Sequence, residues 1–342
     1  MSLIAATTGL VERLPLPDAL TRIGIAHLVD RTHRRMSAVP PETDAAFAAA
    51  MRALPIAEHT ADANAQHYEL PAEFFGLVLG PHRKYSSCLY ASEQDTLEQA
   101  ETNALAQTCA HADLHDGQDI LELGCGWGSV SLWMARHYPA ARITAVSNSN
   151  SQRAYIEHTA RQRGLSNLRV ITADMNAFTT EARFDRIVSV EMFEHMANWD
   201  ALLGRVRMWL RPDGRLFLHV FTHVAAPYRF DTSDPSDWIA RHFFTGGIMP
   251  SHNLAHRFPH LFHVEQDWRW DGTHYRRTAR AWLANYDTNA ERIDAVLRAV
   301  YGTEARLWRR RWRLFFLAVE GLFGHQHGAA WGVSHYRLAP TA

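Results

Sequence analysis

The chain has 342 residues, 47% of them hydrophobic, enough for a sizeable core in one large domain or two modest ones. Its 35 Lys and Arg against 36 Asp and Glu leave a formal charge of −1, which gives no bulk attraction for nucleic acid and makes a small or neutral substrate the more natural partner. Cys88, Cys109 and Cys125 have no metal-ligand spacing, which fits a reducing, cytoplasmic setting; no secretory or lipidation signal is read at the start. No apolar run reaches the ~18 residues of a membrane span, so no stable membrane insertion is expected.

Residues 1–80 carry helical patterns broken by proline, among them Ala19–Val29 and Asp44–Leu54, and no strand alternation; they read as a helical cap or lid over a domain spanning 81–342. Two aromatic segments follow, at 66–75 and 84–90, and look like site-lining pieces. Thr96 can cap a helix from Leu97 to Ala112. The organising stretch comes next, Asp119 to Ser129. Ile120, Leu121 and Leu123 give a short strand buried on both faces, Gly124, Gly126 and Gly128 turn the backbone, and Ser129 to Tyr138 continue as a helix.

A β/α alternation with short connections follows. Strands are predicted at 142–147, 168–172, 186–190 and 214–220, with helices from Asn150 to Gly164 and from Trp199 to Leu210. This pattern specifies a doubly wound, Rossmann-like α/β sheet with its ligand at the carboxyl ends of the strands. From about 225 to 290 the alternation lapses into an aromatic-rich insertion, read as a wall over those strand ends. Arg306 to Phe323 reads as a core helix whose arginines snorkel or pair with acids, because its apolar positions nearly encircle it.

The glycines run Gly-x-Gly-x-Gly, with Ser129 where a dinucleotide fingerprint needs its third glycine. Glu122 before them suits an ammonium or sulfonium better than a pyrophosphate. An ordinary glycine turn in a sheet protein is the plain alternative. The combination resembles the first motif of S-adenosylmethionine (SAM) dependent methyltransferases. Ser147, Asn148 and Gln152 offer neutral hydrogen bonds to a ribose, although helix capping by Ser147 is equally good chemistry. Asp174 stands where a carboxylate accepts an adenine amino group, with Met175 stacking; a loop aspartate capping the next turn is the bland reading. Glu191, Glu194 and His195 begin where the fourth strand ends, and a helix there puts all three on one face, able to take a proton or hold a cation. The alternative is a pair of N-terminal carboxylates favouring a helix dipole beside a surface histidine.

Six segments carry a resemblance that covers nearly the whole chain: His67 to Pro71, Lys84 to Cys88, Leu121 to Ser129, Glu191 to Met196, Phe243 to Ser251, and His274 with Tyr275. With them the chain resembles the cyclopropane fatty acid synthase and mycolic acid methyltransferase family, and within it the plant coclaurine-type N-methyltransferases. The resemblance implies that Tyr85, Ser86, Gly124, Gly126, Asn148, Gln152, Asp174 and Met175 contact SAM. The synthases hold a bicarbonate base with a cysteine, a glutamate, a group near the end of the fifth strand and a tyrosine; the aligned positions here are Ser87, Glu194, His219 with Phe221, and Tyr275. Where the synthases typically have glycine, three residues before that glutamate, this chain has Glu191, and their cysteine in the last helix aligns with Val319. These departures favour methyl transfer to an amine over cyclopropanation or C-methylation of an unsaturated acyl lipid.

The expected reaction is an in-line attack of a neutral amine on the SAM methyl, leaving S-adenosylhomocysteine (SAH), with much of the rate supplied by positioning. Glu194 and His195 are the candidate bases, and Glu191 with Glu69 the groups that orient the cation. His219 and Tyr275 are retained for either chemistry. Phe193, Trp199, Tyr228, Trp238, Phe244 and Trp331 are candidates for the acceptor pocket and its cation–π contacts. A homodimer through the helical parts is compatible with this reading.

Overall fold

The computed structural model describes residues 12, 16–40, 42–58, 70–234 and 237–341. His67, Tyr68 and Glu69, the first three residues of the His67 to Pro71 motif, lie outside them. Helices α1 (Asp18–Ser37), α2 (Thr43–Met51) and α3 (Ala72–Val78) precede α4 (Leu97–His111), whose capping box joins Thr96 and Gln99 reciprocally, as the Thr96 cap requires. Strand β1 (Asp119–Leu123) then leads through the glycine loop into α5 (Ser129–His137), followed by β2 (Arg142–Ser147), α6 (Asn150–Gln162), β3 (Leu168–Thr172) and β4 (Phe184–Val190). Helix α7 (Trp199–Trp209) runs into β5 (Leu210–His223).

Beyond β5 the chain departs from the sequence expectation. A short antiparallel pair, β6 (Tyr228–Arg229) and β7 (Ile248–Met249), brackets helix α8 (Trp238–His242). The rest returns to the main sheet. Strand β8 (Phe262–Asp271), helices α9 (Gly272–Thr288), α10 (Ala290–Tyr301) and α11 (Ala305–Gly324), and strand β9 (Trp331–Pro340) complete the order β3-β2-β1-β4-β5-β9-β8. β1 to β5 are parallel, whereas β9 runs antiparallel between β5 and β8.

Both faces of the sheet are covered, which is why β1 reads as a continuous apolar run. Ile120 meets Leu105 and Cys109 of α4 and Val130 and Met134 of α5 on one face. Leu121 and Leu123 meet Leu202, Leu203 and Val206 of α7 on the other. A separate aromatic core joins α3 to the C-terminal helices, with Phe74, Phe75, Trp282, Tyr286, Trp312 and Phe316 buried in it. α11 is thus a core helix, and its arginines do pair: Arg313 reaches Asp18 of α1 at 2.5 Å and Asp287 of α9 at 2.9 Å. α1 lies so close along α11 that a Cβ on Gly321 would meet the Ile25 side chain at 2.5 Å. No helix of the described residues is long and apolar enough to cross a membrane.

Candidate active site

The strand order reverses between β1 and β4, and the cleft opens there, outside the carboxyl ends of the strands. It has two adjoining chambers. The first, with about 750 Å³ of open space, is lined by Gly124, Gly126, Ser147, Asn148, Gln152, Asp174 and Met175, and closed on one side by Ala57 and Glu58. Sequence reasoning missed those last two. The segment after α2 is tied to the cleft because Asn176 exchanges two hydrogen bonds of 3.0 Å with the backbone of Ala57.

This chamber is built for a ligand with its own acceptor atoms. Ser147 donates to Gln152 Oε1 at 2.6 Å, which leaves the amide nitrogen Nε2 of Gln152 buried with no hydrogen-bond partner among the described residues. A buried donor left unmade costs about 1–3 kcal/mol, and a bound hydroxyl removes that cost. Gly126 has φ +50°, and a Cβ built there meets nothing within 4 Å, so bare backbone borders the cleft. Glu122 lines the second chamber, its carboxylate accepting from Ser131; burial pushes its pKa up to about 7 against the lowering effect of that bond.

The second chamber, about 850 Å³ of open space, shares Gly124, Gly126, Gln152, Glu191 and His195 with the first. Its walls add Tyr85 and Ser86 from the loop before α4, and the rings of Phe221, Phe244, Tyr275, Trp282 and Phe315. His195 stacks on Phe244 with centroids 4.9 Å apart. Trp127 also lines this chamber; its place between the glycines is a signal the sequence offered.

Glu191 does not stand in a helix with Glu194 and His195. Only Phe193–His195 form a short 3₁₀ turn, and Glu191 precedes it with φ +47°, the left-handed region that favours glycine. That conformation turns the Glu191 carboxylate into a nest of donors: Ser87 N–H at 3.0 Å and His219 Nε2 at 3.2 Å on Oε1, and the Tyr275 hydroxyl at 2.8 Å on Oε2. Burial raises its pKa to about 6, while Lys84, Ser87 N–H and Tyr275 hold it down. Glu191 is thus charged at neutral pH although its side chain is only 9% exposed.

Glu194 lies behind it, fully buried and outside the lining of either chamber. Its Oε1 accepts from Phe221 N–H at 2.7 Å and its Oε2 has no partner among the described residues. Burial, then the neighbouring Glu191 charge, pushes its pKa well up and favours the protonated form. Lys84, buried in the same loop as Ser87, donates to Ser86 Oγ at 2.5 Å and to the Ser87 carbonyl at 2.7 Å, fixing the loop that caps Glu191.

Five expected pocket aromatics line neither chamber. Trp199 and Phe193 pack on one another in the core under the sheet, the Trp199 indole donating to the Phe193 carbonyl at 2.8 Å. Trp238 is buried against Phe243 and donates to Glu12; Trp331 is buried on β9 beside His223; Tyr228 packs with Phe230 and His223. All five serve packing, where their large apolar areas are satisfied without a ligand. His219 is likewise fully buried and reaches the cleft only through Glu191.

A doubly wound sheet with a Gly-x-Gly-x-Gly loop and a cleft at its switch point defines the class of Rossmann-like methyltransferases. Residues 57–328 match the family model of mycolic acid cyclopropane synthetase, and the chain belongs to that family. It is 34% identical over 316 residues to (S)-coclaurine N-methyltransferase of Thalictrum flavum subsp. glaucum, covering 91% of this chain and 83% of that one. A crystal structure of coclaurine N-methyltransferase bound to N-methylheliamine and SAH superposes with a TM-score of 0.91 at 31% identity, covering 99% of this chain and 100% of the other. A cyclopropane synthase of Mycobacterium tuberculosis shares the fold at a TM-score of 0.67 and 22% identity, over 83% of this chain and 99% of that one.

Proposed function

We propose that the chain is a SAM-dependent N-methyltransferase whose acceptor is a small aromatic or heterocyclic amine. The observation that carries this reading is the Glu191 carboxylate. It fills the space between Ser87, His219 and Tyr275, positions that the family resemblance assigns to a bicarbonate base in cyclopropane synthases. A carboxylate tethered there supplies the negative charge from within the chain. The named N-methyltransferase relatives support the same chemistry.

Gly124, Gly126, Asn148, Gln152, Asp174 and Met175 would hold SAM, with Tyr85, Ser86 and Glu122 from the adjoining chamber. When bound, SAM supplies an electrophilic methyl group on a sulfonium. The chain's own work is done on the acceptor. An amine arrives largely protonated at pH 7, and the single negative charge of Glu191 draws the ammonium to the cleft wall. Burial disfavours a second charge on Glu194. Glu191, beside the stacked His195, then takes the proton and frees the nitrogen lone pair. Phe221, Phe244, Tyr275, Trp282 and Phe315 exclude water and hold the acceptor's ring, which supplies near-attack geometry. Residues 1–80 serve in this reading as a cap whose Ala57 and Glu58 border the cofactor chamber.

SAM and SAH are expected to raise the melting temperature of the protein and NAD to leave it unchanged, since Ser129 replaces the glycine a dinucleotide needs. Equal stabilisation by NAD would overturn the cofactor assignment. For the acceptor, the protein is incubated with SAM and a panel of aromatic amines, tetrahydroisoquinolines and unsaturated phospholipids, and products are identified by mass. Methylated amine is the expected product. Bicarbonate-dependent modification of the phospholipid alone would instead place the enzyme with the lipid synthases.

A further inference from the structure

Behind Glu191 three histidines stand in line across the sheet, and the reaction as described uses only the first. His219 on β5 touches Glu191 through Nε2, and its Nδ1 lies 2.8 Å from Nε2 of His335 on β9. His335 Nδ1 lies 2.8 Å from Nδ1 of His111, the last residue of α4. His111 Nε2 meets the side-chain amide nitrogen of Gln107, one turn back on α4, at 2.5 Å. His219 and His335 are fully buried, His111 is 8% exposed and Gln107 is half-buried, so the line runs from the catalytic cleft toward the outer surface of α4.

The line has a direction. A neutral imidazole donates from one nitrogen and accepts at the other. Burial lowers the pKa of all three rings: His219 and His335 well down, His111 to about 4. With three neutral rings, an amide N–H at Gln107 fixes every proton in turn. Gln107 donates to His111 Nε2, His111 Nδ1–H to His335 Nδ1, His335 Nε2–H to His219 Nδ1, and His219 Nε2–H to Glu191. Each donor points toward the carboxylate.

We propose that His335, His111 and Gln107 are positioning residues that hold His219 as its Nε2–H tautomer and thereby keep the buried Glu191 charged for the amine. The proposal rests on the N-methyltransferase reading for its use, though not for its geometry. Without His335 nothing occupies Nδ1 of His219, the proton is free to sit there, and a bare Nε2 lone pair faces Oε1. A carboxylate beside a lone pair loses its ionised form; a carboxylic acid beside it makes a good hydrogen bond. The titratable groups around Glu191 are otherwise unchanged: Lys84 and Cys88 in the loop before α4, Tyr275 on α9 and Glu194 in the 3₁₀ turn. At the outer end His111 faces Arg337 of β9 and stacks on Trp268 of β8, centroids 3.7 Å apart.

The test compares His335→Phe with His335→Gln. Phenylalanine keeps a ring in a nest made by Phe217, Trp270 and His219 but breaks the line; glutamine, with one donor and one acceptor, restores it. His335→Phe is expected to move the acid limb of kcat/KM upward by about one pH unit, the effect of one hydrogen bond lost to a charged group. Activity at pH 6 falls about fivefold and recovers as the pH is raised. His335→Gln keeps the limb near the wild-type position. Gln107→Glu, a half-buried change that leaves the core alone, offers only an acceptor to His111, reverses the line and raises the limb as His335→Phe does. Infrared difference titration of the carboxyl band absent from Glu191→Gln gives the same midpoints without turnover. If no amine is methylated the function falls, and the infrared shift still decides the line. Midpoints that stay put in both His335→Phe and Gln107→Glu, or activity lost equally at every pH, would overturn it.

Discussion

Gly126→Val protein is expected to fold and to show no melting-temperature response to SAM or SAH. The reason is local. Gly126 has φ +50° and a Cβ there meets no protein atom within 4 Å, so valine causes no clash and its methyls project into the open cleft that both chambers share. Gly124 is a worse test because its Cβ would meet Met192 Cβ at 2.6 Å, and folding would suffer first. A β-branched residue in the left-handed region costs about 1–3 kcal/mol, and that cost needs a control. Gly117→Val supplies it: Gly117 has φ +85° with nothing within 4 Å of its Cβ, in the turn before β1 and away from the cleft. Wild-type protein in a hundredfold excess of SAM over Kd gains about 2.7 kcal/mol, a shift of several degrees. Gly117→Val is expected to melt lower but keep that shift, whereas Gly126→Val melts lower and loses it. A Gly126→Val protein that still responds to SAM would move the cofactor away from this loop.

The parallel half of the sheet was legible because its residues obey one rule at a time. Ile120, Leu121 and Leu123 are apolar since helices cover both faces, and the connections are short enough to keep the β/α order visible. β9 broke that rule. It is buried along nearly its whole length, yet it carries Gly332, Ser334 and His335, whose polar atoms are satisfied by Thr222 and His252 or by His219 and His111. No hydrophobic periodicity reports a strand whose inward side chains bond to one another. β8 was hidden differently, its charged and aromatic residues lying at a sheet edge that is mostly exposed.

The half of the cleft that the sequence reading gives to the cofactor was legible as a chamber for the same reason as the sheet: loops at consecutive strand ends must face one crevice, so Gly124, Ser147, Asn148 and Asp174 come together once the strand order is known. The acceptor half was not. Aromatic residues are used for walls and for cores alike, and nothing local separates Phe244, which lines the cleft, from Trp199, which is packed beneath it. The helix drawn through Glu191, Glu194 and His195 failed at a single dihedral. Glycine fits φ +47° at no steric cost, and a glutamate there costs about 1–2 kcal/mol. Strain held at a functional position is itself a pointer to what the position does.

Glu191→Gln is expected to lower the methyl-transfer rate about 10²–10⁴-fold, the range of a general base, while leaving SAM binding intact. The substitution is close to isosteric: an amide oxygen can still accept from Ser87 N–H and His219 Nε2, and the amide nitrogen can donate to the Tyr275 hydroxyl in place of the bond now running the other way. What is lost is the charge and the ability to take a proton. In the wild type, burial raises the carboxyl pKa to about 6, so kcat/KM is expected to rise as the pH is brought up through that value and Glu191 ionises. Glu191→Gln removes this limb. Glu194→Gln is the informative partner, because burial and the Glu191 charge favour a protonated Glu194 and glutamine can keep its bond to Phe221 N–H; it is expected to cost tenfold or less in rate, ~1.4 kcal/mol of barrier. Should the large loss fall on Glu194→Gln instead, the positive charge of the bound ammonium must have lowered the Glu194 pKa, so that its carboxyl ionises to solvent and serves as the base. The remaining outcome is a limb that follows the pKa of each acceptor amine and ignores both substitutions. In that case the amine binds from its neutral population, and the strained carboxylate of Glu191 serves to hold the ring in place while proximity does the rest.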